Sequence, residues 1–74
     1  MVKLKLLGFI SELIGIREKE IKLNSPIKLK NIIKLPKNID LNRLIILVNG
    51  KAASPDTLVY DEDEVLLMPI VGGG

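Results

Sequence analysis

Seventy-four residues leave room for one small domain, and 47% hydrophobic against 27% charged residues suits a folded globule rather than a disordered chain. The chain has no Cys and no His, which excludes disulfides, thiolate metal sites and self-contained hydrolases of the Ser-His type. A net charge of +2 is too small an excess for a polyanion binder, and the longest apolar run, Val65 to Val71, is far short of the roughly 20 residues of a membrane span.

In chain order, residues 2–10 begin as a half-buried strand, with Val2, Leu4 and Leu6 on one face and Lys3 and Lys5 on the other. Leu7 and Phe9 continue the lysine face, so that face starts polar and ends apolar. Ser11 to Gly15 predicts one helical turn, with Ser11 as N-cap and Gly15 as its stop. Glu18 to Leu23 alternates again as a second strand, with Ile21 and Leu23 inward, ended by Asn24-Ser25-Pro26. Leu29, Ile32 and Ile33 then share a helix face, which predicts a helix capped by Ser25, opened by Pro26 and ended by Pro36. Leu44 to Val48 is a continuous aliphatic run, as in a strand buried on both sides. Asn49-Gly50 is a turn, residues 52–56 a loop or weak edge strand, Asp61-Glu62-Asp63 an exposed turn, and Glu64 to Val71 the last strand. This order predicts an α+β domain over residues 1–71: a mixed sheet with one main helix packed across it, the β-grasp arrangement, with the first and last strands parallel and adjacent at the centre. Residues 72–74 form a flexible glycine tail.

The side chains offer little chemistry. Ser11, Ser25 and Ser54 have no His to activate them, and the Asp61–Glu64 acids lack the ligand pattern of a calcium loop, so no metal is expected. The lysines around the helix are read as a solvated face. No phosphate-binding glycine loop precedes a helix. The remaining group is the chain end: Gly72-Gly73-Gly74 can thread a narrow channel, and the Gly74 carboxylate is open to attack once a partner activates it, for instance as an acyl-adenylate. Parallel first and last strands would bring Leu7 and Phe9 near Met68, with Leu66 joining if it shares the face of Met68, as an apolar docking patch beside the tail.

Several segments carry a resemblance. Val2-Lys3-Leu4 through Glu12-Leu13-Ile14-Gly15, Val48-Asn49-Gly50, Asp61-Glu62-Asp63-Glu64-Val65 and Pro69-Ile70-Val71-Gly72-Gly73-Gly74 together resemble the MoaD/ThiS family of ubiquitin-like sulfur carriers, most of all the molybdopterin synthase small subunit. Glu62 stands where that pattern has a turn glycine, and Ile70 where it has a proline. The resemblance implies that an E1-like adenylating enzyme, using ATP, activates Gly74 and that a C-terminal thiocarboxylate follows. The tail, with Gly73 and Gly74 at its reactive end and Gly72 behind them, would then enter the large subunit of molybdopterin synthase, where the sulfur builds the molybdopterin dithiolene. Relatives supply sulfur for thiamine or tRNA thiolation, or are joined to target-protein lysines. The expected chain binds no cofactor itself, acts in the cytoplasm on protein partners rather than nucleic acid or membrane, and has no catalytic side chains of its own.

Overall fold

The computed structural model describes residues 1–33 and 40–70. Strand β1 (Val2–Leu6) buries Val2, Leu4 and Leu6 and exposes Lys3 and Lys5, as its alternation requires. Gly8 then turns the chain at φ 66°, and helix α1 (Phe9–Ile14) follows. The strand therefore ends before Phe9, and Phe9 does not continue the lysine face. Ser11 lies inside α1 rather than capping it, and its hydroxyl donates to the Gly8 carbonyl at 2.8 Å. Gly15 does stop the helix, at φ 86°, its N–H donating to the Ser11 carbonyl.

Strand β2 (Glu18–Ile21) runs antiparallel to β1. It ends two residues short of Leu23, whose N–H leaves the ladder and donates to Asp61 Oδ1 at 2.7 Å. The next segment departs most from expectation. Ile27–Lys28 forms a short strand, β3, and helix α2 covers only Leu29–Ile32, with Lys28 extended at its N-cap. The first helical N–H groups find loop carbonyls instead of the Ser25 side chain: Leu29 donates to Thr57 and Lys30 to Pro55, each at 2.9 Å. Ile33 is extended at the C-terminal side, so this helix ends ahead of Pro36, which lies outside the described residues. The expected main helix is thus the four-residue α2, shorter than the six-residue α1 that stands where one turn was expected, and each places one fully buried residue, Leu29 or Ile10, into the core.

A 3₁₀ turn (Leu41–Arg43) leads into β4 (Leu44–Val48). Asn49 and Gly50, at φ 53° and 80°, make the tight turn to β5 (Lys51–Ala52), both positive angles matching a two-residue hairpin. Strand β6 (Leu58–Val59), not anticipated, pairs with β3. Strand β7 (Glu64–Pro69) closes the fold. The main sheet has the order β2-β1-β7-β4-β5, with β7 parallel to β1 and antiparallel to β4, so the last strand lies at the centre beside the first, as predicted. One face carries the aliphatic core: Val2, Leu4, Leu6, Ile46, Val65 and Leu67, closed by Ile10, Leu29, Ile33, Leu23 and Val59. Among the described residues, no helix is long and apolar enough to cross a membrane.

Candidate functional site

Strand β7 delivers Pro69 and Ile70 to one end of the sheet, and the chain continues from there into Val71 and the three glycines. The expected reactive residues, Gly72, Gly73 and Gly74, lie outside the described residues. Their root can be described. Residues directly opposite on paired strands share a face. Met68 stands opposite Ile45 and Leu66 opposite Leu47, and Leu66 and Met68 are two residues apart on one strand. All four therefore lie on the face away from the core, and Leu66 does extend the Met68 patch. Leu7 reaches the same end, its N–H donating to the Leu67 carbonyl at 2.9 Å and its side chain 46% exposed.

Strand β4 is thus buried on one side only. Leu44 and Val48 pack against the core and Ile46 lies within it, whereas Ile45 is exposed. Its continuous apolar run reflects one face used inside the domain and another left in water. Away from the tail this outer face turns polar. Lys3 stands between Glu20 and Glu64, and Lys5 between Glu18 and Leu66.

Phe9 takes a different position from the one expected. It borders a groove of about 230 Å³ together with Leu13, Leu44, Pro69, Ile70, Asp40 and Arg43. Leu44 and Pro69 are opposite one another, and Leu44 packs against the core, so this groove opens on the core side of the sheet's end. The two apolar regions flank the strand end, Met68 with Leu66, Ile45 and Leu47 on one side and Phe9 with Leu13 and Ile70 on the other. Of the nine exposed large hydrophobic residues among the described residues, five (Leu7, Phe9, Leu13, Ile45 and Ile70) gather at this end. A concentration of that kind marks an interaction surface better than singly scattered apolar residues do.

Gly8 sets the spacing between the two sides. A methyl group at its Cα would lie 3.0 Å from Pro69 Cγ and 3.1 Å from Cδ, so the turn after β1 packs directly on the end of β7. Sequence reasoning missed Gly8, Leu13, Arg43, Ile45 and Leu47. The signal for Ile45 and Leu47 was present, since a strand apolar on both faces needs two covers and the predicted elements supply one.

The acidic turn is structural. Asp61 accepts from the Leu23 N–H and, at 3.4 Å, from the N-terminal ammonium, and its carboxyl is held below the usual range first by the Leu23 hydrogen bond. Asp63 accepts from the Tyr60 N–H and the Asn49 side-chain amide, while Asn49 Oδ1 accepts from the Glu64 N–H. Glu62 is not among the positive-φ residues, so this turn bears no strain where the family pattern has glycine. Among the described residues no three acids converge on a cation site. Lys30 reaches Asp56 at 3.1 Å, and this pair lowers the Asp56 carboxyl as well.

A model of the ThiS family matches residues 4–74, which includes both the tail root and the tail. The chain belongs to the ThiS family. Comparison with curated protein sequences gives no match. Among solved structures, this ThiS-family chain is similar to SAMP1 from Haloferax volcanii, with a TM-score of 0.75 at 20% identity over 99% of this chain and 98% of that one, a likeness that shows the fold. It is similar to a putative molybdopterin converting factor, subunit 1, from Pyrococcus furiosus, with a TM-score of 0.70 at 26% identity over 95% and 97%. It is also similar to Urm1 from Sulfolobus solfataricus, with a TM-score of 0.59 at 25% identity over 92% and 99%. The fold is therefore the ubiquitin-like β-grasp, with two short α-helices on the mixed sheet among the described residues.

Proposed function

We propose that this chain is a ubiquitin-like sulfur carrier for molybdopterin synthesis whose reactive group is the Gly74 carboxylate. The observation that carries the reading is the family match running through Gly74, on a chain whose tail root is ringed by exposed apolar residues. The 26% identity to the Pyrococcus furiosus molybdopterin converting factor subunit favours the molybdopterin branch. In this reading an E1-like enzyme binds ATP and the tail together. A Gly74 carboxylate oxygen attacks the α-phosphorus and pyrophosphate leaves. The acyl-adenylate is then open at its carbonyl carbon, and hydrosulfide supplied by the partner attacks there: the C–S bond forms, the C–O bond to AMP breaks, AMP leaves, and the S–H proton is lost to solvent. The resulting C-terminal thiocarboxylate enters the synthase large subunit, which takes the sulfur. The chain itself supplies no catalytic side chain: it presents the terminus and the docking surface of Leu7, Leu66 and Met68.

The 25% identity to Urm1 from Sulfolobus solfataricus favours a second use of the same adenylate. There a lysine amine of a target protein displaces AMP and forms an amide to Gly74. Mass spectrometry of the chain from its native host, denatured and without reductant, separates the two. Sulfur in place of one terminal oxygen supports the carrier, and Gly-Gly branches on lysines of other proteins support the modifier. Neither species, with the activating enzyme and ATP supplied, overturns both readings.

A further inference from the structure

We infer that the groove on the core side of the tail root receives an apolar side chain accompanied by a carboxylate, both presented by the enzyme that activates the tail. The inference rests on the adenylation reading above and assigns that enzyme a second contact, separate from the Met68 face. At about 230 Å³ the groove is smaller than the roughly 300–1,000 Å³ of small-molecule sites, a size that suits an inserted side chain rather than a free ligand. Its rim is apolar and in water, with Phe9 53%, Leu13 50% and Ile70 56% exposed.

The charge at the groove selects the accompanying group. One acidic and one basic side chain line it, Asp40 and Arg43. Asp40 Oδ1 is already engaged, accepting from the Asn42 N–H at 2.9 Å and from Asn42 Nδ2 at 3.1 Å to hold the 3₁₀ turn. Arg43 is exposed and makes no ion pair among the described residues. Asp40 is turned to the 3₁₀ turn by these bonds, whereas the Arg43 guanidinium keeps its planar donors open at the groove, and those donors match a carboxylate two bonds at a time. Ile70 lies on this rim and immediately precedes Val71, so a partner seated here holds the chain two residues before the tail begins. A partner that also covers Met68 straddles the end of β7, and the Gly8–Pro69 contact fixes the spacing of the two grips.

The test uses the intact chain and the purified E1-like adenylating enzyme of its host, with affinity read by calorimetry and activation by pyrophosphate release. Arg43→Glu and Leu13→Asp, each shown folded by circular dichroism, should raise Kd about tenfold or more. Arg43→Lys, which keeps the charge without the fork, should fall between. Wild-type affinity should weaken between about 50 and 300 mM salt, and the Arg43→Glu variant should lose most of that dependence. Unchanged affinity in both groove variants, with Met68→Asp still impaired, overturns the groove contact and leaves the adenylation reading standing. A wild-type chain that is neither bound nor adenylated overturns both. If the wild type is a dimer that Leu13→Asp splits without altering enzyme affinity, the occupant is a second copy and the inference is wrong.

Discussion

Replacing Gly8 by Ala tests whether the turn after β1 and the end of β7 form one rigid unit. Gly8 sits at φ 66° and ψ −150°, a region that is essentially restricted to glycine and costs other residues about 1–3 kcal/mol. The new methyl group would also meet Pro69 Cγ at 3.0 Å and Cδ at 3.1 Å. Both atoms belong to a ring at the end of a paired strand, so relief requires backbone movement, and overpacking of this kind costs about 1–3 kcal/mol. Restricting the unfolded chain returns about 0.4–1 kcal/mol. The net loss should be near 3 kcal/mol, or about 20 °C in melting temperature for a domain of this size. Gly15→Ala is the control: at φ 86° it carries left-handed strain of about 1–2 kcal/mol, but nothing lies within 4 Å of the added atom. Thermal melts followed by circular dichroism should therefore show Gly8→Ala clearly worse than Gly15→Ala. Pro69→Ala in the Gly8→Ala background should recover part of the difference as a coupling of about 0.5–3 kcal/mol. Equal melting temperatures for the two glycine variants would refute the close packing of the turn on the tail root.

Three further outcomes are expected. Leu67→Ala removes a fully buried side chain from the central strand and should cost about 2–5 kcal/mol by urea unfolding, whereas Leu66→Ala, on the outer face, should cost well under half as much. Asp56 and Asp61 both have folded carboxyls below their unfolded value of about 3.9, so the unfolded chain binds more protons as pH drops and the stabilisation present above pH 4 is lost below it. The urea midpoint should fall from about pH 4 to pH 2, and Asp61→Asn should flatten that fall. Met68→Asp should leave the melting curve near wild type yet weaken binding to the activating enzyme or the synthase large subunit by about tenfold, measured by calorimetry, because Met68 lies on the face away from the core.

Strands were legible where side-chain alternation meets a single buried face. Residues 2–6 follow from sequence for that reason, while 44–48 was legible as a strand only from its unbroken aliphatic run, which misstated its burial as two-sided; the central parallel pairing of first and last strands was also foreseen. The helix starts were not. Ser25-Pro26 is a strong local start signal, but the N–H groups of Leu29 and Lys30 are satisfied by carbonyls of Thr57 and Pro55, more than 20 residues away, and a cap supplied from so far along the chain leaves no local trace. Strands β3 and β6 escaped notice because two-residue segments carry no period. At the candidate site, the apolar outer face was legible from Leu66 and Met68. Phe9 was assigned to it because alternation was carried across Gly8, the residue whose backbone ends the strand. The Arg43 groove depends on the 3₁₀ turn meeting α1 at the strand end, a juxtaposition that neither segment announces alone.

The strand that leads to the terminus is the one held on both flanks, by β1 and by β4. In the proposed reading an enzyme draws on the last residues, and a pull applied at Pro69 along β7 loads that strand lengthwise. Two rows of ladder bonds then resist in shear, and they must give way together rather than peel singly. Under the proposed function the globular part would thus serve as a mechanical stop, with traction on the terminus borne by the middle of the sheet.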